Sequence, residues 1–282
     1  MTEAEIRAAK EEALRLAKSH YENFPVVSFL IRKELRADVA AVYWFARTAD
    51  DFADEGDLPP EERLARLDEF ERRLTALLEG NARAPIEAAL EHTIRTRRLD
   101  PRHFYDLLSA FKQDVVKTRY ADFDELLDYC RRSANPVGRL ILELYDVRDE
   151  EAARRSDDVC TALQLANFYQ DVSLDLAKGR VYIPQNELVG FGARETTTLA
   201  GVDDSVFHDC MRFQVERASR LFDRGRAVLP RLKGRIRMEI KWTILGGERI
   251  LEKIRRLDYD TRAVRPTLGK LDFFALLLRS IL

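Results

Sequence analysis

Two stretches of this chain put carboxylates where a helix would stack them. In the first, YWFARTADDFADE at 43–55, Tyr43, Arg47, Asp50 and Asp54 are spaced four, three and four residues apart. At about 100° per residue these four fall within roughly 60° of one another on a helix. Asp50 and Asp54 then point the same way one turn apart, with Arg47 a turn before them and Asp51 to one side. In the second, LQLANFYQDVSLDLAKGRVYIP at 163–184, Gln164, Asn167, Asp171 and Asp175 are spaced three, four and four. They span roughly 80° by the same geometry. Arg180 and Tyr182 follow directly.

Like charges at i, i+4 weaken a helix slightly. A single pair of this kind reads as a solvated face. Here both pairs have apolar flanks, AAVYWF before the first and ALQLANF before the second. Such flanks predict buried helices, and carboxylates in that setting need a compensating charge. Two such helices suggest carboxylates facing each other across a cavity with cations between. Oxygen ligands without His or Cys favour Mg²⁺, Mn²⁺ or Ca²⁺, and Mg²⁺ commonly bridges carboxylates to phosphates. Neither segment has the loop glycine and twelfth-position Glu of an EF-hand, and no GxxxxGK[ST] phosphate loop exists. A diphosphate would therefore be held through metal rather than through a backbone cradle.

The elements that must position these residues read as helices throughout. Leu64, Leu67, Phe70 and Leu74 keep helical spacing, as do Phe104, Leu107, Leu108 and Phe111. Pro59-Pro60-Glu61-Glu62, Asp100-Pro101 and Asp203-Asp204 mark helix starts. The spacing predicts helices near 2–19, 36–55, 60–79, 83–97, 101–118, 122–144, 149–177, 203–228, 230–258 and 267–281. Asn135-Pro136 should kink or break the sixth. Residues 178–201 form the one long irregular stretch. With no repeat, linker or convincing strand, the pattern predicts one all-α domain over 1–282.

Composition narrows the function. Lys and Arg total 47 against 49 Asp and Glu, a net charge of −2, which argues against a nucleic-acid partner. Cys130, Cys160 and Cys210 lie far apart without a metal-ligand pattern, which fits a reducing cytoplasm. No apolar run is long enough to span a bilayer. The apolar LDFFALLLRSIL at the C-terminus reads first as a core helix and second as a membrane-surface contact. The basic run Arg231, Lys233, Arg235 and Arg237 reads first as a solvated face and second as a contact for an anionic membrane.

The two aspartate-rich stretches, with Tyr129-Cys130, Ala134 and Val137-Gly138 between them, resemble the signatures of the squalene/phytoene synthase family. The likeness covers almost the whole chain. His20-Tyr21-Glu22-Asn23-Phe24-Pro25, Ser133–Gly138 and Leu245-Gly246-Gly247-Glu248-Arg249-Ile250-Leu251 resemble its hydroxysqualene synthase branch. The first of these stands where many relatives carry H-S-x-S-F, and the last lacks an aromatic that the family usually places nearby.

The resemblance implies an isoprenoid synthase bundle around a central apolar cavity. It implies that presqualene diphosphate is ionised on Mg²⁺, with Mn²⁺ as a substitute, and that water captures the cation without NADPH. Head-to-head condensation of two farnesyl or geranylgeranyl diphosphates is the alternative. Asp50, Asp54, Asp171 and Asp175 would hold metal, and Arg47 and Arg180 would meet the diphosphate. Tyr43, Phe24 and Tyr129 would present ring faces to the cation, although plain core is nearly as good a reading for each. Gln164 and Asn167 would orient substrate. Asp51, Ala134, Val137, Gly138 and Tyr182 would line its site. Asn23 and Glu22 would help place the water, and His20 would lie among the substrate-binding residues, an ordinary polar group there rather than a general base. Pathway neighbours would make presqualene diphosphate and reduce hydroxysqualene. The setting would be cytoplasmic, with a peripheral contact at the inner membrane face.

Overall fold

A computed structural model of the chain describes residues 31–54, 58–194 and 198–273, with Ala8, Ala9, Glu11 and Leu276 besides. Among them every regular element is helical. The main helices are α1 (Arg36–Asp54), α2 (Pro60–Leu78), α3 (Pro85–Arg97), α4 (Arg102–Val116), α5 (Phe123–Ser133), α6 (Asn135–Leu144), α7 (Glu150–Gln170), α8 (Val172–Ala177), α9 (Gln185–Gly190), α10 (Asp204–Gly225) and α11 (Arg235–Arg256). The all-α expectation is met. The expected helix at 2–19 lies largely outside the described residues, and of the one expected at 267–281 the described part is helical at 270–273 and at Leu276.

Two of the three start signals act as anticipated, while Asp203 precedes α10 without a side-chain capping bond. Pro60 and Pro85 open α2 and α3 at their first positions, where a missing N–H costs nothing. Asp100 accepts a hydrogen bond from the Arg102 backbone N–H at 3.0 Å before α4. Asp122 caps α5 through the Glu125 N–H at 2.9 Å. Pro136 divides the expected 122–144 helix into α5 and α6, with Ala134 between them.

The chain forms two compact units. The first comprises residues 1–116, 136–149 and 234–239. Within it α1 packs against α2, α3 and α4. Ala41, Phe45, Ala49 and Ala53 recur every four residues and are all buried. Three alanines in that stripe let neighbouring helices approach closely. Phe45 stacks on Phe70 at 5.0 Å between ring centroids and meets Phe104 edge-on at 5.1 Å. Asp38, also buried on α1, accepts hydrogen bonds from Thr93 Oγ1 at 3.1 Å and Arg97 Nε at 2.8 Å. That pair fixes the register of α1 on α3.

The second unit comprises residues 117–135, 150–233 and 240–282. Its axis is the pairing of α7 with α10. Gly225, at the end of α10, makes the crossing possible. A Cβ there would lie 3.0 Å from the Val159 backbone nitrogen and 3.2 Å from the Arg155 carbonyl. Tyr169, Gln214, Glu187 and Arg217 form a polar chain that ties α9 to α10.

Candidate active site

On α1 the stripe 41/45/49/53 faces the helical core, and Tyr43, Arg47, Asp50 and Asp54 lie roughly 150° around the helix from it. The apolar flanks are thus satisfied on one face while the other carries the motif residues. This face is half exposed rather than buried, with the Asp50 and Asp51 side chains 47% and 32% accessible. The compensating charge is local. Arg47 Nη1 lies 3.2 Å from Asp50 Oδ2, and Nη2 lies 2.7 Å from Asp51 Oδ1.

The second motif departs from the continuous 149–177 helix expected of it. Helix α7 ends at Gln170, Asp171 takes φ −99° and ψ 13°, and α8 begins at Val172. The ladder nevertheless bridges the break: the Asp171 N–H donates to the Asn167 carbonyl, and the Asp175 N–H to the Asp171 carbonyl, both at 2.9 Å. Asp171 and Asp175 therefore remain one turn apart. Gln164 is half buried and Asn167 exposed. Gly179, at φ +71°, ends α8 in the left-handed conformation that glycine adopts without strain.

The irregular segment after Gly179 is stitched to the loop before α5. Val181 N donates to the Thr118 carbonyl at 2.9 Å, Gln185 N to the Tyr120 carbonyl at 2.9 Å, and Arg119 Nη1 to the Gly179 carbonyl at 2.9 Å. This stitching delivers Tyr182 into an aromatic cluster. Its ring lies flat on Phe168 at 3.8 Å, with Tyr120 at 5.7 Å and Tyr129 at 6.2 Å. Tyr129 and Tyr182 are buried in that cluster. The Arg180 backbone N–H donates to the Asp175 carbonyl at 2.8 Å, which fixes where the Arg180 side chain leaves the chain.

One residue that sequence reasoning missed is Arg265. Its Nε donates to Asp171 Oδ1 at 2.5 Å and its Nη2 to Oδ2 at 3.3 Å. That hydrogen bond raises the Arg265 guanidinium further above its ordinary value. Arg265 stands in an aperiodic run before Pro266, so no spacing marked it.

Of the other sequence-predicted residues, Ala134 is buried between α5 and α6, Gly138 is buried on α6, and Val137 is exposed there. His20, Glu22, Asn23 and Phe24 lie outside the described residues. Burial pushes the Cys130 and Cys210 thiols up to about 12, so neither is a nucleophile near neutral pH. A groove of about 610 Å³ between α5, α7 and α10 is lined by Phe123, Asp128, Arg131, Asp158, Arg220 and Arg224 among others. None of the predicted site residues lines it.

Both motifs offer oxygen donors of the type that hard divalent cations prefer, and Asp50 and Asp171 each already attract a cationic side chain. The donor chemistry therefore fits Mg²⁺ or Mn²⁺. Among the described residues, no three Asp, Glu, His or Cys side chains close on one ion-sized point.

A squalene/phytoene synthase profile matches residues 17–272, both motifs included. The chain belongs to the squalene/phytoene synthase family. It is 40% identical over 242 residues to a hydroxysqualene synthase of Sinorhizobium fredii, covering 84% of this chain and 80% of that one. It is 36% identical over 251 residues to a hydroxysqualene synthase of Rhodopseudomonas palustris, covering 87% and 84%. The crystal structure of squalene synthase HpnC from Alicyclobacillus acidocaldarius superposes with a TM-score of 0.85 at 41% identity, covering 92% of this chain and 97% of that one. The fold is that of the squalene synthase-like isoprenoid synthases, and the chain is an enzyme of this family acting on prenyl diphosphates.

Proposed function

We propose that this enzyme ionises presqualene diphosphate and gives the resulting cation to water, forming hydroxysqualene. One observation carries the reading: both aspartate motifs stand complete in a chain 40% and 36% identical to hydroxysqualene synthases. In this reading the whole chain acts as one catalytic domain around an apolar cavity.

Asp50, Asp54, Asp171 and Asp175 would hold Mg²⁺. When bound, the metal supplies Lewis-acid stabilisation of the leaving diphosphate. The carbon–oxygen bond breaks with its electron pair on the diphosphate. Water then attacks the rearranged carbocation, and its proton passes to solvent or to the released anion. No electron donor is required. Arg47 and Arg180 add charge-assisted hydrogen bonds to the diphosphate, and Arg47 is already held beside Asp50. The Tyr129–Tyr182–Phe168 cluster offers ring faces to a cation, with Tyr43 on α1 in the same role. Gln164 and Asn167 orient substrate from the turns before Asp171. Asn23 and Glu22 hold the capturing water, and a dry cavity keeps other water away.

The test is product analysis by gas chromatography. Presqualene diphosphate alone should give hydroxysqualene, with no change on adding NADPH. Squalene formed only with NADPH, or turnover of farnesyl diphosphate alone, would refute the branch. A reaction class that forms presqualene diphosphate must precede this step, and a reductive removal of the hydroxyl must follow it.

A peripheral contact with an anionic membrane fits the product's insolubility. Arg231, Lys233, Arg235 and Arg237 are all exposed, and Met238 beside them is 47% accessible. Among the described residues no helix is long and apolar enough to cross a membrane. Sedimentation with anionic against neutral vesicles separates the outcomes.

A further inference from the structure

The segment after α11 is fixed on both sides of Arg265. Upstream, Arg262 donates to the Val202 carbonyl at 2.8 Å and to Asp204 at 2.6 Å, with its guanidinium over the Phe207 ring at 4.3 Å. Downstream, Asp272 accepts from the Gly269 N–H and pairs with Arg249 and Lys253, each at 2.7 Å. Between these anchors the buried amide of Gln170 donates through Nε2 to the Pro266 carbonyl at 2.7 Å. Proline fixes its own φ and keeps the residue before it extended. Arg265 therefore has few backbone states, and the pin on the next carbonyl selects among them. The guanidinium so placed covers both oxygens of Asp171, the residue directly after Gln170.

We infer that Gln170, acting through Pro266, holds Arg265 on Asp171 as a built-in counter-ion that a divalent metal must displace. This rests on the reading of Asp171 as a metal ligand. Asp171 and Asp175 repel one another across one turn, and Arg265 relieves that repulsion before metal arrives. The arginine and the metal then compete for one carboxylate. Arg265 and Asp171 are 41% and 28% accessible, and ion pairs this exposed are weak enough for a metal to replace. Gln170 is a positioning residue in this scheme: its own atoms touch the strap and not the ion.

The experiment is a Mn²⁺ titration of the full chain without diphosphate, with free Mn²⁺ read by electron paramagnetic resonance. Arg265→Gln removes the competitor and tightens Mn²⁺ by ~2–5-fold, the scale of a half-exposed pair. Gln170→Met keeps side-chain length and removes the donor, and shifts affinity the same way by a smaller factor. In the Arg265→Gln background, Gln170→Met changes nothing further. Pro266→Ala loosens Arg265 without touching the buried amide and gives the same direction, which covers a Gln170→Met chain that does not fold. Unchanged or weaker Mn²⁺ binding by Arg265→Gln overturns the inference, as does a full Gln170→Met effect persisting without the arginine. Asp171→Asn separates this failure from failure of the underlying reading. If it weakens Mn²⁺ while Arg265→Gln does not tighten it, only the counter-ion role falls. If it leaves Mn²⁺ unchanged, Asp171 is no metal ligand and both fall.

Discussion

Adjacent glycines in α11 give opposite predictions for the same substitution. A Cβ on Gly247 would fall well inside normal contact of Phe222 Cζ, 2.9 Å from Leu163 Cδ2 and 3.1 Å from Phe222 Cε1. Unstrained carbon pairs sit at about 3.5–4.0 Å, so three contacts are too close at once. Phe222 is fully buried and cannot swing aside. Overpacking of this kind costs about 1–3 kcal/mol, and the overlap places Gly247→Ala at the upper end. Alanine returns about 1 kcal/mol of helix propensity, leaving a net loss near 2 kcal/mol. In a chain of this size that lowers Tm by roughly 3–4 °C. A Cβ on Gly246 would meet only Leu268 Cδ1 at 3.9 Å, an ordinary contact. Gly246→Ala should therefore gain about 1 kcal/mol from propensity alone. Urea unfolding followed by circular dichroism measures both. Phe222→Leu should recover part of the loss in the Gly247→Ala background. Equal shifts for the two glycines, or stabilisation by Gly247→Ala, would show that α11 does not pack this tightly on α7 and α10.

Further outcomes follow from other sites. Burial raises Glu239 to about 7 from 4.5, with the Tyr145 hydroxyl donating to it at 3.0 Å as a smaller opposing effect. The folded chain thus holds a proton that the unfolded chain releases. Its stabilising contribution is complete below pH 4.5 and is lost as pH rises to 7. At about 1.4 kcal/mol per pKa unit this approaches ~3 kcal/mol, and Glu239→Gln should flatten stability across that window in urea titrations at fixed pH. Asp50→Asn and Asp171→Asn should each lower turnover by orders of magnitude while circular dichroism stays unchanged, and chelator should abolish wild-type turnover; near-normal rates in either variant refute the metal roles. Arg97→Met takes a cation from the buried Asp38 and should cost about 3–5 kcal/mol, read as a fall in the urea midpoint, whereas a change under 1 kcal/mol would mean that the other partners of Asp38 satisfy the carboxylate.

The helices were legible because their apolar spacing and start signals agree. Pro136 announced the break between α5 and α6. Nothing announced the break at Asp171, since the residues of FYQDVSLD are all tolerated inside a helix and the backbone there changes without proline or glycine. The short helix α9 lay hidden in a stretch read as irregular, for six residues give too little periodicity. At the site, the two i, i+4 aspartate pairs and the arginine beside the first were readable from spacing alone. Arg265 and Gln170 were not. Their partnership depends on a strap 94 or more residues away along the chain.

The way the first unit is assembled has a consequence for synthesis on the ribosome. Its pieces end at residues 116, 149 and 239, and the last carries Glu239, the partner of Tyr145. Between residues 149 and 234 some 85 residues of the other unit are made. At about 5–20 residues per second the nascent chain waits roughly 4–17 s for its closing piece. During that interval the surface that Ile236 and Glu239 will cover is open, so a chaperone that shields emerging helices should raise the yield of active enzyme. A chain terminated before residue 239 would leave both units unfinished, and the cell would meet it as a substrate for proteolysis.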